Sequence, residues 1–376
     1  MGTIIKNPFL VAGYESPKFF CDRKAETEEL SVAFQNGRNV TLTSPRRMGK
    51  TGLIMHLFHL LKQEDPKSAV IYVDLYSTET LADFTKVFAS AVISQLESNP
   101  MKVLKTAASV IRGLRPAMTM DELTGKPKIS MDIASGSEEY SLEQAFEYIQ
   151  RSGRTCYIAL DEFQQIAKYP ETTAEAFLRG QIQNLHNAHF IFSGSQEHML
   201  REMFLSPKRP FYLSTSLKSI GPIDEGDYFA FVKGFFSEQG RDLPEDVFHQ
   251  VYATYEGHTW FIQMIMNRLY ANPDSVIDDS SVQRCVSEIL KENEYYYQSL
   301  LRAYSKGQAN LMKAIAREGK VKELTAGSFI SKHKLTAVSS VKSALIRLLD
   351  DEVIYHPDDG YMIYDRFFGD WLKRSF

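Results

Sequence analysis

The chain has 376 residues, 44% of them hydrophobic and 24% charged, with a formal net charge of −4; it is too long for one ordinary domain, and nothing in its charge draws it globally to nucleic acid. Cys21, Cys156 and Cys285 are widely spaced and form no CxxC pair, which argues against a disulfide framework or a zinc site. No apolar run approaches the roughly 20 residues needed to cross a bilayer, and the N-terminal stretch, broken at Asn7-Pro8, is a poor signal peptide. A soluble, cytoplasmic protein with no membrane partner is expected.

In chain order, β-rich runs at 39–43, 70–75, 155–160, 189–193 and 216–220 alternate with helix-period segments at 52–62, 81–96 and 141–150. That alternation predicts an α/β core built on a parallel sheet. Residues 111–134 break the rhythm: two alternating runs flank Leu123-Thr124-Gly125-Lys126-Pro127, predicting an inserted β-hairpin, with a surface loop as the plainer reading. From Asp224 the pattern turns helical without strands, at 226–239, 244–255, 258–270 and 280–304. Helical segments at 309–316, 326–333 and 339–349 then precede two short β runs, 353–356 and 361–364, around Pro357-Asp358-Asp359-Gly360. Three helices and a hairpin are the order of a winged helix. The expected domains are a lead-in at 1–35, a core at 36–223, a helical segment at 224–304 and a winged helix at 305–376.

The first chemical motif is Ser44-Pro45-Arg46-Arg47-Met48-Gly49-Lys50-Thr51, followed by Gly52. It has the spacing of a Walker A phosphate loop between a strand and a helix, with Ser44 where the first glycine usually stands. Backbone N–H groups and the helix N-terminus would cradle phosphates. Lys50 would reach the β- and γ-phosphates of ATP, and the Thr51 hydroxyl would ligate Mg²⁺. Because serine does not freely adopt φ > 0, Ser44 is the weak point of the match; the bland alternative is a strand–turn–helix with a chance GKT.

Ile158-Ala159-Leu160-Asp161-Glu162 is an apolar strand ending in two carboxylates. After a Walker A loop this predicts Asp161 in the Mg²⁺ shell and Glu162 placing or deprotonating the attacking water. Alone, a DE pair is equally a helix N-cap with a first-turn acid. The next run ends in Ser193-Gly194-Ser195. Either serine could sit beside the γ-phosphate, or the three could form a routine strand exit.

Phe20-Cys21-Asp22-Arg23 with Ala25-Glu26 and Glu29-Leu30, then 44–51, then 160–163, resemble the archaeal-type ATPase family in the STAND branch of the AAA+ P-loop ATPases. The resemblance covers nearly the whole chain. It implies an AAA+ core, a helical lid and a C-terminal winged helix, with Phe20 and Arg23 near the adenine and Lys50, Thr51, Asp161 and Glu162 in the family's roles. Arg209, within Ser206-Pro207-Lys208-Arg209-Pro210, imperfectly matches the family's arginine-bearing segment. It is a candidate γ-phosphate or subunit-interface arginine, which makes a homo-oligomer or protein partner an expectation. Gly257-His258-Thr259 is similar to the family's Gly-x-Pro lid motif with Thr259 in place of proline, and His258 reads first as a helix-start residue.

Residues 301–376 carry 13 Lys and Arg against 9 Asp and Glu, a net +4. Lys332, Lys334, Lys342 and Arg347 lie on or near the expected recognition helix, where DNA phosphates would need them. Asp350, Asp351, Glu352, Asp358 and Asp359 crowd the same end and would repel them. The leading expectation is an ATP-hydrolysing, nucleotide-gated switch. The alternative is a DNA-binding, initiator-like or mobile-element ATPase; a small-molecule kinase fits the helical C-terminal half poorly.

Overall fold

A computed structural model describes residues 7–97, 99, 102, 103, 106, 111, 113–120, 127–272, 276–356 and 360–376. By backbone contacts it divides into two compact units, one from Ala12 to Tyr228 and one comprising residues up to Val11 with Phe229–Phe376.

The first unit holds a five-stranded parallel sheet. Its strands are β1 (Val40–Thr43), β2 (Ala69–Asp74), β5 (Cys156–Asp161), β6 (Ala188–Gly194) and β7 (Ser216–Ser219), in the order β2-β5-β6-β1-β7. Both faces are apolar, because parallel strands joined by helices are covered on both sides. On one face Ile71, Val73, Ile158, Leu160, Phe190 and Phe192 join the core of helices α3 (Leu81–Leu96), α4 (Glu138–Arg151) and α5 (Ala174–Gln183). On the other, Val40, Leu42, Ala159 and Ile191 join helices α1 (Lys24–Gln35) and α2 (Lys50–Glu64). The period of two along each strand therefore decides which side chains face α2. Strands β3 (Leu114–Met120) and β4 (Pro127–Ile133) pair antiparallel, Leu114 opposite Ile133; the turn expected at 123–126 lies outside the described residues.

The second unit is helical and then winged. Helices α7 (Glu225–Glu238), α8 (Glu245–Thr254), α9 (Thr259–Ala271), α10 (Asp279–Glu292) and α11 (Glu294–Arg302) precede α12 (Lys306–Glu318), α13 (Gly327–Lys332) and α14 (Val338–Asp350), α6 (Glu197–Leu205) belonging to the core. Strands β8 (Ile354–Tyr355) and β9 (Met362–Ile363) pair antiparallel and lead into α15 (Arg366–Ser375). Of the turn expected at 357–360, residues 357–359, with Asp358 and Asp359, lie outside the described residues, as do residues 1–6.

Two features differ from the sequence expectation. The single helix expected over 280–304 breaks at Asn293 (φ −94°, ψ 3°), whose side chain donates to the Ile289 carbonyl at 2.8 Å and so satisfies the end of α10. The final helix α15 was not expected; Asp365 caps it and Phe367, Phe368, Trp371 and Leu372 bury one face. Residues 7–11 also dock on the helical segment: Asn7 donates to the Asn267 carbonyl at 2.7 Å, Trp260 Nε1 to the Val11 carbonyl at 3.0 Å, and the Phe9 ring stacks on Phe236. Among the described residues no helix is long and apolar enough to cross a membrane.

Candidate functional site

The C-terminal tips of β1, β5 and β6 lie side by side, Thr43 opposite Gly194 and Leu160 opposite Phe192. In open α/β sheets ligands bind at this carboxyl edge. Thr43 leads into residues 44–49, and the first turn of α2 begins at Lys50 with no side chain capping it. Its first N–H groups have no carbonyl within the helix to pair with, and the helix dipole stands behind them.

Within the loop, Gly49 (φ 87°) and Arg47 (φ 68°) take left-handed conformations. Glycine does so without strain, and Gly49 can also approach a phosphate closely. Ser44 is absent from the positive-φ positions and fully buried, so this loop does not require a glycine there. That removes the physical objection to serine. Arg23, itself left-handed (φ 61°) and 3% exposed, donates Nη2 to the Met48 carbonyl at 3.2 Å and to the Gly221 carbonyl at 2.7 Å, and pairs with Glu26 at 2.7 Å. One guanidinium thus fixes the back of the loop.

Asp161 is the centre of the cluster. Like Ala159 it faces α2, and so does Ser193 beyond Ile191. Its Oδ1 accepts from Ser193 Oγ at 2.6 Å and from the Glu162 N–H at 3.1 Å, with Lys50 Nζ at 3.4 Å. Its Oδ2 accepts from Thr51 Oγ1 at 3.2 Å and from the Tyr72 hydroxyl at 2.6 Å. Burial opposes ionisation of Asp161, yet the Lys50 ammonium and the Ser193 and Tyr72 hydroxyls outweigh it and hold its pKa below the usual carboxylate value. Burial first, then the charge of Asp161, pushes the Tyr72 phenol upward.

Glu162 (φ 55°) takes a separate set of donors on Oε2: Ser195 Oγ at 2.9 Å, the Ser195 N–H at 3.3 Å and Gln164 Nε2 at 2.5 Å. Its Oε1 lies 3.8 Å from Lys50 Nζ, and Arg46 Nε donates to Ser195 Oγ at 3.1 Å. Ser193 and Ser195 therefore divide the labour, one on each carboxylate. Tyr72 and Gln164 escaped sequence reasoning. Nothing next to Tyr72 marks it, but β2 runs beside β5 with Tyr72 opposite Ala159, which puts Asp161 on its diagonal, within reach of an aromatic side chain.

Phe20 stacks on His56 at 4.3 Å between ring centroids and lies against Gly52, where an added Cβ would stand 3.4 Å from its ring. Phe20 thus borders the first turns of α2, while Arg23 meets the loop just before it, at Met48. Arg209 is not brought into the cluster. It pairs with Glu175 of α5 at 2.5 Å, and burial, against the opposing pull of Arg209, raises the Glu175 pKa. His258 is buried at the start of α9, its ring against Phe261 and Tyr355.

In the second unit, two of the four cations expected on or near the recognition helix are engaged with acids. Lys332 pairs with Glu318 at 2.6 Å and Arg347 with Asp351 at 2.8 Å, while Lys334 and Lys342 are exposed.

Sheet order, phosphate loop and paired carboxylates define a P-loop ATPase fold of the AAA+ kind, followed by a helical segment and a winged helix. A family model described as "ATPase domain predominantly from Archaea" matches residues 20–265, and the chain belongs to that family. A second model, "Probable winged helix domain", matches residues 295–374. Among solved structures, the chain is similar to a Walker-type ATPase of Pyrococcus abyssi, at 19% identity over 97% of this chain and 99% of that one, TM-score 0.65. It is also similar to the ORC2 protein of Aeropyrum pernix in ADPNP and ADP complexes, at 13% identity over 98% and 97%, TM-score 0.56. The ORC1 protein of the same organism, in complex with DNA, gives 14% identity over 95% and 94%, TM-score 0.51. None of the curated proteins compared with the chain matches it.

Proposed function

We propose that the protein binds ATP with Mg²⁺ in the 44–51 loop and hydrolyses it, acting as a nucleotide-gated switch. The observation that carries this reading is the convergence of Lys50, Thr51 and Ser193 on Asp161 at the open N-terminus of α2. Thr51 directs its proton to Asp161, which leaves its oxygen lone pairs for a cation. Hydroxyl and carboxylate oxygens are the donors Mg²⁺ takes, with waters and phosphates supplying the rest. Bound there, the ion would neutralise charge on the β- and γ-phosphates. Lys50 adds a second positive charge, and the backbone of 44–51 with Arg46 and Arg47 lines the anion. Phe20, whose ring lies against Gly52, would meet the base, with Arg23 tying the loop behind it at the Met48 carbonyl.

For hydrolysis, Glu162 is the residue to place the water in line with the γ-phosphate. Among the described residues its Oε1 meets only the Lys50 ammonium, at 3.8 Å, so that oxygen is available to accept from a water. Glu162→Gln should leave ATP affinity within about twofold of wild type and lower turnover by about 10²- to 10⁴-fold, the usual span of a general base. Equal loss of binding and turnover would contradict the assignment. Arg209, held by Glu175, would act only from a neighbouring subunit in a homo-oligomer.

The order of core, helical segment and winged helix supports placing the chain in the STAND branch and, with it, in the cytoplasm. The DNA reading draws on the ORC1 protein, whose structure is a DNA complex. Charge speaks against it: two of the four cations on or near the recognition helix are already paired with acids. A nucleotide-driven change read by a protein partner fits this surface better, because acids beside two of the four cations reduce the positive field that DNA phosphates would meet. DNA retention falling steeply between low and moderate salt would restore the DNA reading.

A further inference from the structure

We propose that Tyr72 is a further residue of this site, a positioning residue that orients the Asp161 carboxylate for a divalent cation; the inference rests on the nucleotide-binding reading above. The argument starts from strand order. Because β2 pairs with β5, with Tyr72 opposite Ala159 and Asp74 opposite Asp161, Tyr72 and Asp161 project toward the same helix, α2. The Tyr72 ring packs against the apolar cluster of that face, which includes Leu53, Leu57 and Ala159. Its hydroxyl is thereby carried to 2.6 Å from Asp161 Oδ2, a charge-assisted hydrogen bond of the short, strong kind.

The other donors explain why this bond is needed. Oδ1 is fixed by Ser193 and by the Glu162 N–H. Oδ2 has Thr51 and Tyr72. Thr51 is itself the hydroxyl that would touch the cation, so its bond to Asp161 is part of the site rather than an independent support. Tyr72 is the donor on Oδ2 that reaches in from a neighbouring strand and has its ring held by the core. Its hydroxyl stops the carboxylate turning about its Cβ–Cγ bond. Partners of this kind around metal-binding groups are worth about 10- to 100-fold in metal affinity when removed.

Tyr72→Phe keeps the ring and deletes only the hydroxyl. ATP binding is titrated calorimetrically in excess EDTA, and then at fixed ATP against increasing MgCl₂, for wild type, Tyr72→Phe and Tyr157→Phe. Tyr157 is a tyrosine of the same face whose ring also packs on that cluster. The expected result is unchanged affinity in EDTA for all three proteins, and a Mg²⁺ midpoint raised about tenfold in Tyr72→Phe alone. An unmoved midpoint in Tyr72→Phe overturns the proposal, as does an equal rise in Tyr157→Phe, which would reveal a packing effect. Should Tyr72→Phe melt below the assay temperature, Ser193→Ala removes a hydroxyl from the opposite oxygen, and an unmoved Mg²⁺ midpoint there would equally count against orientation of Asp161. Failure of the underlying reading looks different: wild type itself, and Lys50→Ala with it, would bind no ATP at any Mg²⁺ concentration.

Discussion

The carboxyl edge of the sheet and the recognition-helix face of the winged helix both bring basic and acidic side chains together, but they do so in opposite ways. At the sheet edge, Lys50, Thr51, Ser193 and Tyr72 converge from two strands and a helix on one buried carboxylate, Asp161. On the winged helix, Lys332 with Glu318 and Arg347 with Asp351 are separate surface pairs. Convergence in a poorly solvated place makes each donor count, because an unpartnered buried charge is costly. Isolated pairs in water contribute little. The lesson is that the charged residues of the first region form a built site, and those of the second a solvated face.

This contrast can be broken by substitution. The largest effect is expected at Asp161→Ala, which leaves the buried Lys50 ammonium without its main partner and should cost about 3–5 kcal/mol in chemical denaturation; a loss under 1 kcal/mol would mean the cluster is not the cohesive centre described. Arg23→Ala comes next. It strands the Met48 and Gly221 carbonyls, the first of them within the 44–51 loop, and should cost about 1–3 kcal/mol together with weaker ATP affinity; stability loss with intact affinity would make Arg23 a structural tie only. Smallest is Arg347→Ala, expected within about 0.5 kcal/mol of wild type. A loss beyond 2 kcal/mol there would erase the distinction between the two regions.

Acid unfolding sharpens the same comparison. The folded-state pKa of Asp161 is lowered, so its ionised form contributes stability in full above its unfolded pKa of about 4 and loses it as pH falls through the lower folded value. In Asp161→Asn that loss should vanish, flattening the stability curve below about pH 4. An acid limb identical to wild type would place the acid sensitivity elsewhere.

How much of this was legible in the sequence depends on how local each signal is. The phosphate loop, Asp161 and Glu162 are contiguous motifs flanked by strands and a helix, and their spacing carries them. Helix α15 was equally legible, with Phe367, Phe368, Trp371 and Leu372 at helical spacing behind a capping Asp365, but three helices and a hairpin already complete the winged-helix order and ask for no further helix. Tyr72 was not legible, since its partner lies 89 positions along the chain and the contact exists only once β2 settles beside β5. The separate roles of Ser193 and Ser195 also waited on the structure: they stand two residues apart, and only the end of β6 sends one to Asp161 and the other to Glu162. Ser44 looked a poor substitute for glycine because the motif suggests a left-handed residue. In this loop the left-handed positions are Arg47 and Gly49.

The most direct test of the central claim is equilibrium binding of ATP in the presence of Mg²⁺ to the purified protein, measured beside Lys50→Ala. Saturable binding by wild type, weakened at least tenfold in the variant, is the predicted result. Equal affinity in both proteins would contradict the phosphate site at residues 44–51.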